Sequence, residues 1–255
     1  MSNRLGTWTL FKRENKRFMK VWLQTIFAPV VSNLLFLTVF GLSLHRNSGD
    51  VLEGVSNLQF IVPGLIIMGL INNAYQNPSS SIIIMKFQQL IQDLMIIPLK
   101  KIEIFIAFIG SAVLRAFIVG GVTYLTSLFF VDFPYHSVSL ILLTSLLVSL
   151  FFSFLGMILG IWADVFDKQA FVQNFVLMPL IFLGGVFYPI TSLPGIFQKI
   201  SQANPIVYMI DLLRYGFTGV HEFSITLSLT ILTAGVLILG TTNYLILRSG
   251  WKLHS

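Results

Sequence analysis

Residues Gln169–Gly219 read QAFVQNFVLMPLIFLGGVFYPITSLPGIFQKISQANPIVYMIDLLRYGFTG. The first part, Gln169–Ile190, is long enough to cross a bilayer, at about 1.5 Å per residue over roughly 30 Å of hydrocarbon. Pro179 near its middle removes one backbone donor and predicts a kink. Gly184 and Gly185 then allow another backbone to come close. Three breaks follow, at Tyr188-Pro189, Leu193-Pro194 and Asn204-Pro205, because each proline biases the residue before it away from helix. Gly195–Ala203 and Ile206–Thr218 are both too short to cross a membrane. The stretch therefore predicts one kinked spanning helix over 169–190. After it, over 191–223, come two short apolar helices that dip into the membrane and return. Backbone turns are costly in lipid, so such a pair must lean on protein or line a wet cavity.

The whole chain agrees with a membrane setting. Of its 255 residues, 55% are hydrophobic and 10% charged, against about 25% charged in a soluble domain. The expected class is an all-α polytopic membrane protein in a single domain, 1–255. There is no cysteine, which excludes disulfides and thiolate metal sites. The net charge of +6 would suit nucleic acid, but the basic residues cluster beside apolar runs, and no nucleic-acid partner is expected. The first such run, Val21–Leu44, is longer than the core of a signal peptide, so no cleavable signal is expected.

Before that run, segment 1–20 is strongly basic. Trp8, Phe11, Phe18 and Trp22 fall on one helical stripe, with Lys12, Arg13, Lys16, Arg17 and Lys20 largely opposite. That pattern predicts an interfacial helix, rings in the acyl boundary and cations among lipid headgroups. A plain positive-inside anchor would carry the same charges. Six spans are predicted, over 21–44, 58–80, 102–130, 138–163, 169–190 and 224–247. The second span ends in INNAYQNPSSS, too polar to face lipid. Asn72, Asn73, Gln76 and Asn77 there either line a path or tie helices together, and Pro78 should end or bend the helix. Arg115 lies near the middle of span 3. It either meets substrate, or pairs structurally with span-2 amides or carbonyls, or snorkels toward the interface. Ala112, Ala116 and Gly120 on span 3, and Gly156 and Gly160 on span 4, are close-packing faces.

Between spans 2 and 3, Phe87, Leu90, Ile91 and Leu94 recur at helical spacing among the polar Lys86 and Asp93, and Pro98 ends the segment. It is amphipathic, and on periodicity alone could rest on the bilayer surface. Counting Lys and Arg sets the sides. The N-terminal segment carries six, 81–101 three, the turn after span 4 one and the tail two, twelve against three opposite. Both termini are thus expected in the cytoplasm. Asp211 and Arg214, three apart, can pair on one helix face.

The ordered set Pro179, Gly184-Gly185, Tyr188-Pro189, Leu193-Pro194, Asn204-Pro205 and Arg214, after four spans and before a last one, resembles the ABC-2 type transporter permeases. These are membrane subunits of bacterial ATP-driven exporters, and the resemblance covers the whole chain. It implies an inner-membrane permease working as a homodimer with two copies of a separate cytoplasmic ATPase. ATP and Mg would sit on that ATPase, since this chain lacks the Gly-x-x-x-x-Gly-Lys-[Ser/Thr] loop and carries no cofactor of its own. The family's coupling helix falls on the cytoplasmic segment 81–101, with Lys86, Phe87, Leu90, Ile91, Asp93, Leu94 and Pro98 as its coupling residues. Its outer re-entrant pair falls on the opening stretch, where Gly184-Gly185 and Asn204-Pro205 are the hinge candidates of an outer gate. No catalytic or metal site is expected. A scaffold or regulatory subunit, an ion-coupled secondary transporter and a membrane-embedded enzyme are the rival classes. The scarcity of carboxylates inside spans argues against the second, and the lack of clustered catalytic motifs against the third. The residues do not name a substrate; the family moves amphipathic, lipid-linked and glycan-type molecules.

Overall fold

In the computed structural model, which describes residues 3–44, 54–91 and 99–249, every regular element is helical. Helix α1 (Arg4–Met19) leads through a π-helical turn (Leu23–Phe27) into α2 (Ala28–Leu44). Then come α3 (Asn57–Phe87), α4 (Lys101–Ser127) and α5 (Val138–Trp162). Helix α6 (Phe166–Val172), a second π-helical turn (Gln173–Leu177) and α7 (Met178–Phe182) run on without a gap. Two short helices, α8 (Gly195–Gln202) and α9 (Pro205–Thr218), precede α10 (Ile225–Ser249). By length and composition four helices, α3, α4, α5 and α10, can each cross a membrane. A fifth span results if α1 and Leu23–Val39, bent by 72°, count as one.

Helix α3 is the axis of the bundle. Ser56 starts it with a capping box: its hydroxyl accepts from the Gln59 N–H while the Gln59 side chain accepts from the Ser56 N–H. From Phe60 to Met85 it is almost wholly buried, wrapped by α4, α5, α9 and α2. It does not end at Pro78 but continues to Phe87, past the span end expected at residue 80. The carbonyls around that proline find other donors. Ser79 Oγ donates to Tyr75 O at 2.7 Å, and Arg17 Nη2 donates to Asn77 O at 2.8 Å. A proline is tolerated in a spanning helix where such donors exist.

The expected close-packing faces meet this axis. A Cβ on Gly156 would collide with the backbone of Tyr75, and one on Gly160 would come within 2.9 Å of Ser79 Cα. Only glycine lets α5 and α3 cross so closely. Ala112 and Ala116 are fully buried, and a Cβ on Gly120 would meet Leu70. By contrast α10 buries little beyond Ser228, Leu232, Asn243 and Leu247.

Hydrogen bonds between distant segments tie both ends of the bundle. At one end Asn3 N–H donates to Glu103 Oε1, Lys86 to the carbonyl of Ile161, and Lys101 Nζ to Arg248 O. This end holds α1, the ends of α3, α5 and α10, and most of the basic residues. At the other, Gln59 Nε2 donates to Asp132 O and Ser137 N–H to Gly216 O.

Just ahead of Pro179 the helix widens. Met178 N–H reaches back to Gln173 O, closing the π-helical turn just before the proline. Ala28 N–H does the same to Leu23 O just before Pro29. A proline ring crowds the carbonyl four residues back, and widening the preceding turn relieves that contact. The helical run begins at Phe166 and stops at Phe182, so it falls short of the expected end at Ile190.

Candidate functional site

Three places hold the residues singled out by sequence. The first is the end of α3. Phe87 is 84% exposed and Leu90 is also exposed, while Ile91 is buried against Leu10, Ile82 and Met85. The chain turns at Gln88-Gln89, with Gln89 at φ 57°, and helical backbone resumes at Leu90. Lys86 is not part of this exposed ridge. Its Nζ donates to the Ile161 carbonyl and lies 3.7 Å from Asp164 Oδ1, where a cation complements the C-terminus of α5. Asp93, Leu94 and Pro98 lie outside the described residues.

The second place is the polar seam at the basic end. The four amides divide. Asn73 and Asn77 are buried ties: Asn73 Oδ1 accepts from Arg115 Nε at 3.0 Å, and Asn77 Nδ2 donates to Ser111 Oγ at 3.2 Å. Asn72 and Gln76, one turn apart, are only half-buried. Arg115 is 5% exposed, with its guanidinium 6.0 Å from the Phe18 ring centre. Among the described residues it makes no ion pair. Glu14, which the sequence did not single out, is the hub of the seam. Its Oε1 accepts from Arg13 Nη2 at 2.9 Å, and its Oε2 accepts from Ser81 Oγ at 2.6 Å and Arg17 Nε at 3.2 Å. Arg17 also reaches Asn77 Oδ1. The aromatic stripe of α1 therefore splits. Trp8 and Trp22 are exposed and Phe11 half-buried, but Phe18 is 1% exposed inside the bundle. The buried Glu14 carboxylate, held by an exposed Arg13 and a half-buried Arg17, lies on the side of α1 that packs inward, and α1 lies against α4. Only an acid at the helix centre, flanked by cations at −1 and +3, hinted at this in sequence.

The third place is the opening stretch. Arg214 is 2% exposed. Its Nη2 donates to Gly185 O at 2.8 Å and its Nε to Phe60 O at 3.3 Å. The guanidinium carbon sits 3.5 Å from the Phe60 ring centre, a cation–π contact in a dry site. Its ion pair is with Glu222 Oε1, at 3.5 Å, and not with Asp211, the partner that helical spacing allowed. Asp211 instead accepts from the Glu222 and Phe223 N–H groups at 2.8 and 3.1 Å. Gly219, at φ +78°, ends α9 and folds Glu222 back beside Arg214. The sequence signal for Glu222 was only an acid shortly after a helix-ending glycine. Burial pushes its carboxyl above the usual carboxylate range, while Arg214 pulls it down.

The hinge candidates are both fastened. Gly185 has φ +77°, and a Cβ there would meet Ile190. Gly184 packs against Ile206 and Ile210. Asn204 caps α9 by accepting from Ile206 N–H at 3.0 Å and donates to Leu180 O on α7. Pro205 opens α9 in the first helical position, and Pro194 immediately precedes α8. Pro189 precedes a short 3-10 turn, Ile190–Ser192. Among the described residues no cluster of His, Asp and Glu could hold a metal.

Residues 6–218 match the ABC-2 type transporter family. The chain is 38% identical over 247 residues to the inner membrane transport permease YadH of Escherichia coli K12, covering 97% of this chain and 96% of that protein. It is 24% identical over 239 residues to nodulation protein J of Rhizobium leguminosarum bv. viciae, covering 92% and 90%. Nodulation protein J of Rhizobium meliloti is likewise 24% identical, over 206 residues.

Proposed function

Because the chain belongs to the ABC-2 type transporter family, we propose that it is the transmembrane subunit of an ATP-driven exporter of the bacterial inner membrane. Two copies pair with two copies of a separate ATPase. That ATPase binds ATP and Mg, and this chain converts its closure into movement of the bundle. The cargo leaves the cytoplasm or inner leaflet and is amphipathic, lipid-linked or of glycan type. In this reading α6–α7, about 25 Å long end to end, and the bent α1–α2 complete six spans, and the basic end faces the cytoplasm. Helices α8 and α9 form the re-entrant pair at the outer side, and the half-buried Asn72 and Gln76 face the path.

The observation that carries the reading is the apolar ridge of Phe87 and Leu90. Helix α3 has 31 residues, about 46 Å at 1.5 Å per residue, longer than the roughly 30 Å hydrocarbon core. Its last turn therefore reaches past the hydrocarbon core at the basic end, and the exposed Phe87 and Leu90 beyond it call for a protein surface. A groove on the ATPase is the occupant. Truncating such an anchor costs about 2 kcal/mol or more. Phe87→Ala should lower co-purification with the ATPase and lower permease-dependent ATP hydrolysis, while the permease stays folded in the membrane. If both stay at the wild-type level, the chain is a scaffold or carries its coupling contact elsewhere.

A further inference from the structure

The seam around Glu14 opens at the basic end into a groove of about 280 Å³ between α1 and the last turns of α3. Four cations border it, Arg13, Lys16, Arg17 and Lys20, against one carboxylate. That carboxylate is spent: Glu14 is 1% exposed and holds Arg13, Arg17 and Ser81. Lys16 and Lys20 stand one turn apart, both exposed, and neither has an ion-pair partner among the described residues. The far wall is apolar, formed by Ile84, Met85 and Leu90, with the Gln88 amide at its edge.

We propose that this groove binds the headgroup of an anionic phospholipid, with its phosphate between Lys16 and Lys20 and its glycerol end against Ile84. The electrostatics ask for an anion, because the excess positive charge has no internal partner. The position asks for a lipid. Immediately after Lys20 the chain exposes Val21, Trp22 and Leu23, and then turns through 72° into the apolar run of α2. A groove at that elbow sits where an interfacial helix meets the acyl region, the level of the headgroups. A water-soluble acidic partner would have to cover that apolar elbow as well. The bound lipid would clamp α1 to the Gln88–Leu90 turn. The site does not depend on what the permease moves.

The test uses the full chain in nanodiscs of phosphatidylcholine with or without phosphatidylglycerol, with native mass spectrometry counting retained phosphatidylglycerol. Lys16→Gln with Lys20→Gln should lower retention about tenfold or more. Lys12→Gln, on the same helix but outside the groove, should leave retention unchanged, and Lys16→Arg with Lys20→Arg should preserve it. Wild-type protein should melt higher with phosphatidylglycerol present, and less so as salt is raised. Equal retention by the double Gln variant overturns the site. So does an equal loss in Lys12→Gln, which would mean diffuse attraction. Displacement of the lipid by millimolar inorganic phosphate would reassign the groove to a soluble anion. Loss of ATPase co-purification by the double Gln variant in discs of phosphatidylcholine alone would reassign it to an acidic protein surface.

Discussion

Helices α8 and α9 are neighbours in sequence, joined at Asn204-Pro205, and the fold treats them in opposite ways. Nearly every residue of α9 from Ile206 to Phe217 is buried, charged ones included. Arg214 ties it to Gly185, Phe60 and Glu222, and Asp211 ties it to the loop that follows. Helix α8 buries only Ser201 and leaves Ile196, Phe197 and Ile200 exposed on one face. One helix is fastened by groups that are costly to unpair, and the other rests on the bundle by a few contacts. If α8 and α9 form the moving pair of the proposed function, α8 is the part whose movement breaks least, and α9 the frame it moves against.

The comparison predicts a graded series, read as the melting temperature of the purified permease. Arg214→Ala should do most damage. It leaves Glu222 buried without its cation and the Gly185 carbonyl without its arginine donor, a loss of about 3–5 kcal/mol, seen as poor yield and a sharply lowered melting temperature. Near-wild-type stability in that variant would remove the distinction between the two helices. Gly185→Leu comes next. At φ +77° a leucine is strained by about 1–3 kcal/mol, so any transport defect should come with lower stability. A variant that melts like wild type yet fails to export would mark Gly185 as a true hinge. Asn204→Ala loses the cap of α9 and the bond to Leu180, worth about 1 kcal/mol, or roughly 2–4 °C.

A smaller effect follows pH. A carboxyl whose folded pKa is raised contributes stability below its ordinary pKa, and that contribution is lost as pH climbs through the raised value. Wild type should therefore gain on Glu222→Gln by up to about 2 °C when pH is lowered from 7 toward 5. A gap that moves the other way would show that Arg214 outweighs burial there. The least change in stability, within about 0.5 kcal/mol, is expected for Ile196→Ser with Phe197→Ser. Cross-linking between protomers through cysteines placed on α8 should fall in that variant. Unchanged cross-linking and export would leave the bare face of α8 to lipid alone.

The seam and the outer anchor show how much was readable in advance. The amides of α3 were visible as polar residues in an apolar run, but not which would be spent: Asn73 and Asn77 went to Arg115, Ser111 and Arg17, while Asn72 and Gln76 stayed half-open. Arg214 was picked out, but helical spacing offered only Asp211 as a partner. Spacing along one helix says nothing about a loop that folds back. The Phe18 ring looked like its neighbours on the stripe and was taken inside because Glu14 was.

Sequence alone determined the class of the protein and the position of most helices. Apolar runs of spanning length cannot be hidden in any other way, and prolines and glycines act on the residues beside them. It determined the close-packing faces too, since a missing side chain permits close approach whatever the partner. Tertiary structure decided the rest: that α3 runs through Pro78, that α1 turns a charged side inward, and that α9 is fixed while α8 is bare. Each of those outcomes depends on donors and charges supplied from distant segments, Arg17 to Asn77, Ser81 to Glu14, Glu222 to Arg214. A buried polar group must be satisfied by whichever partner the packing brings, and local periodicity carries no record of that partner.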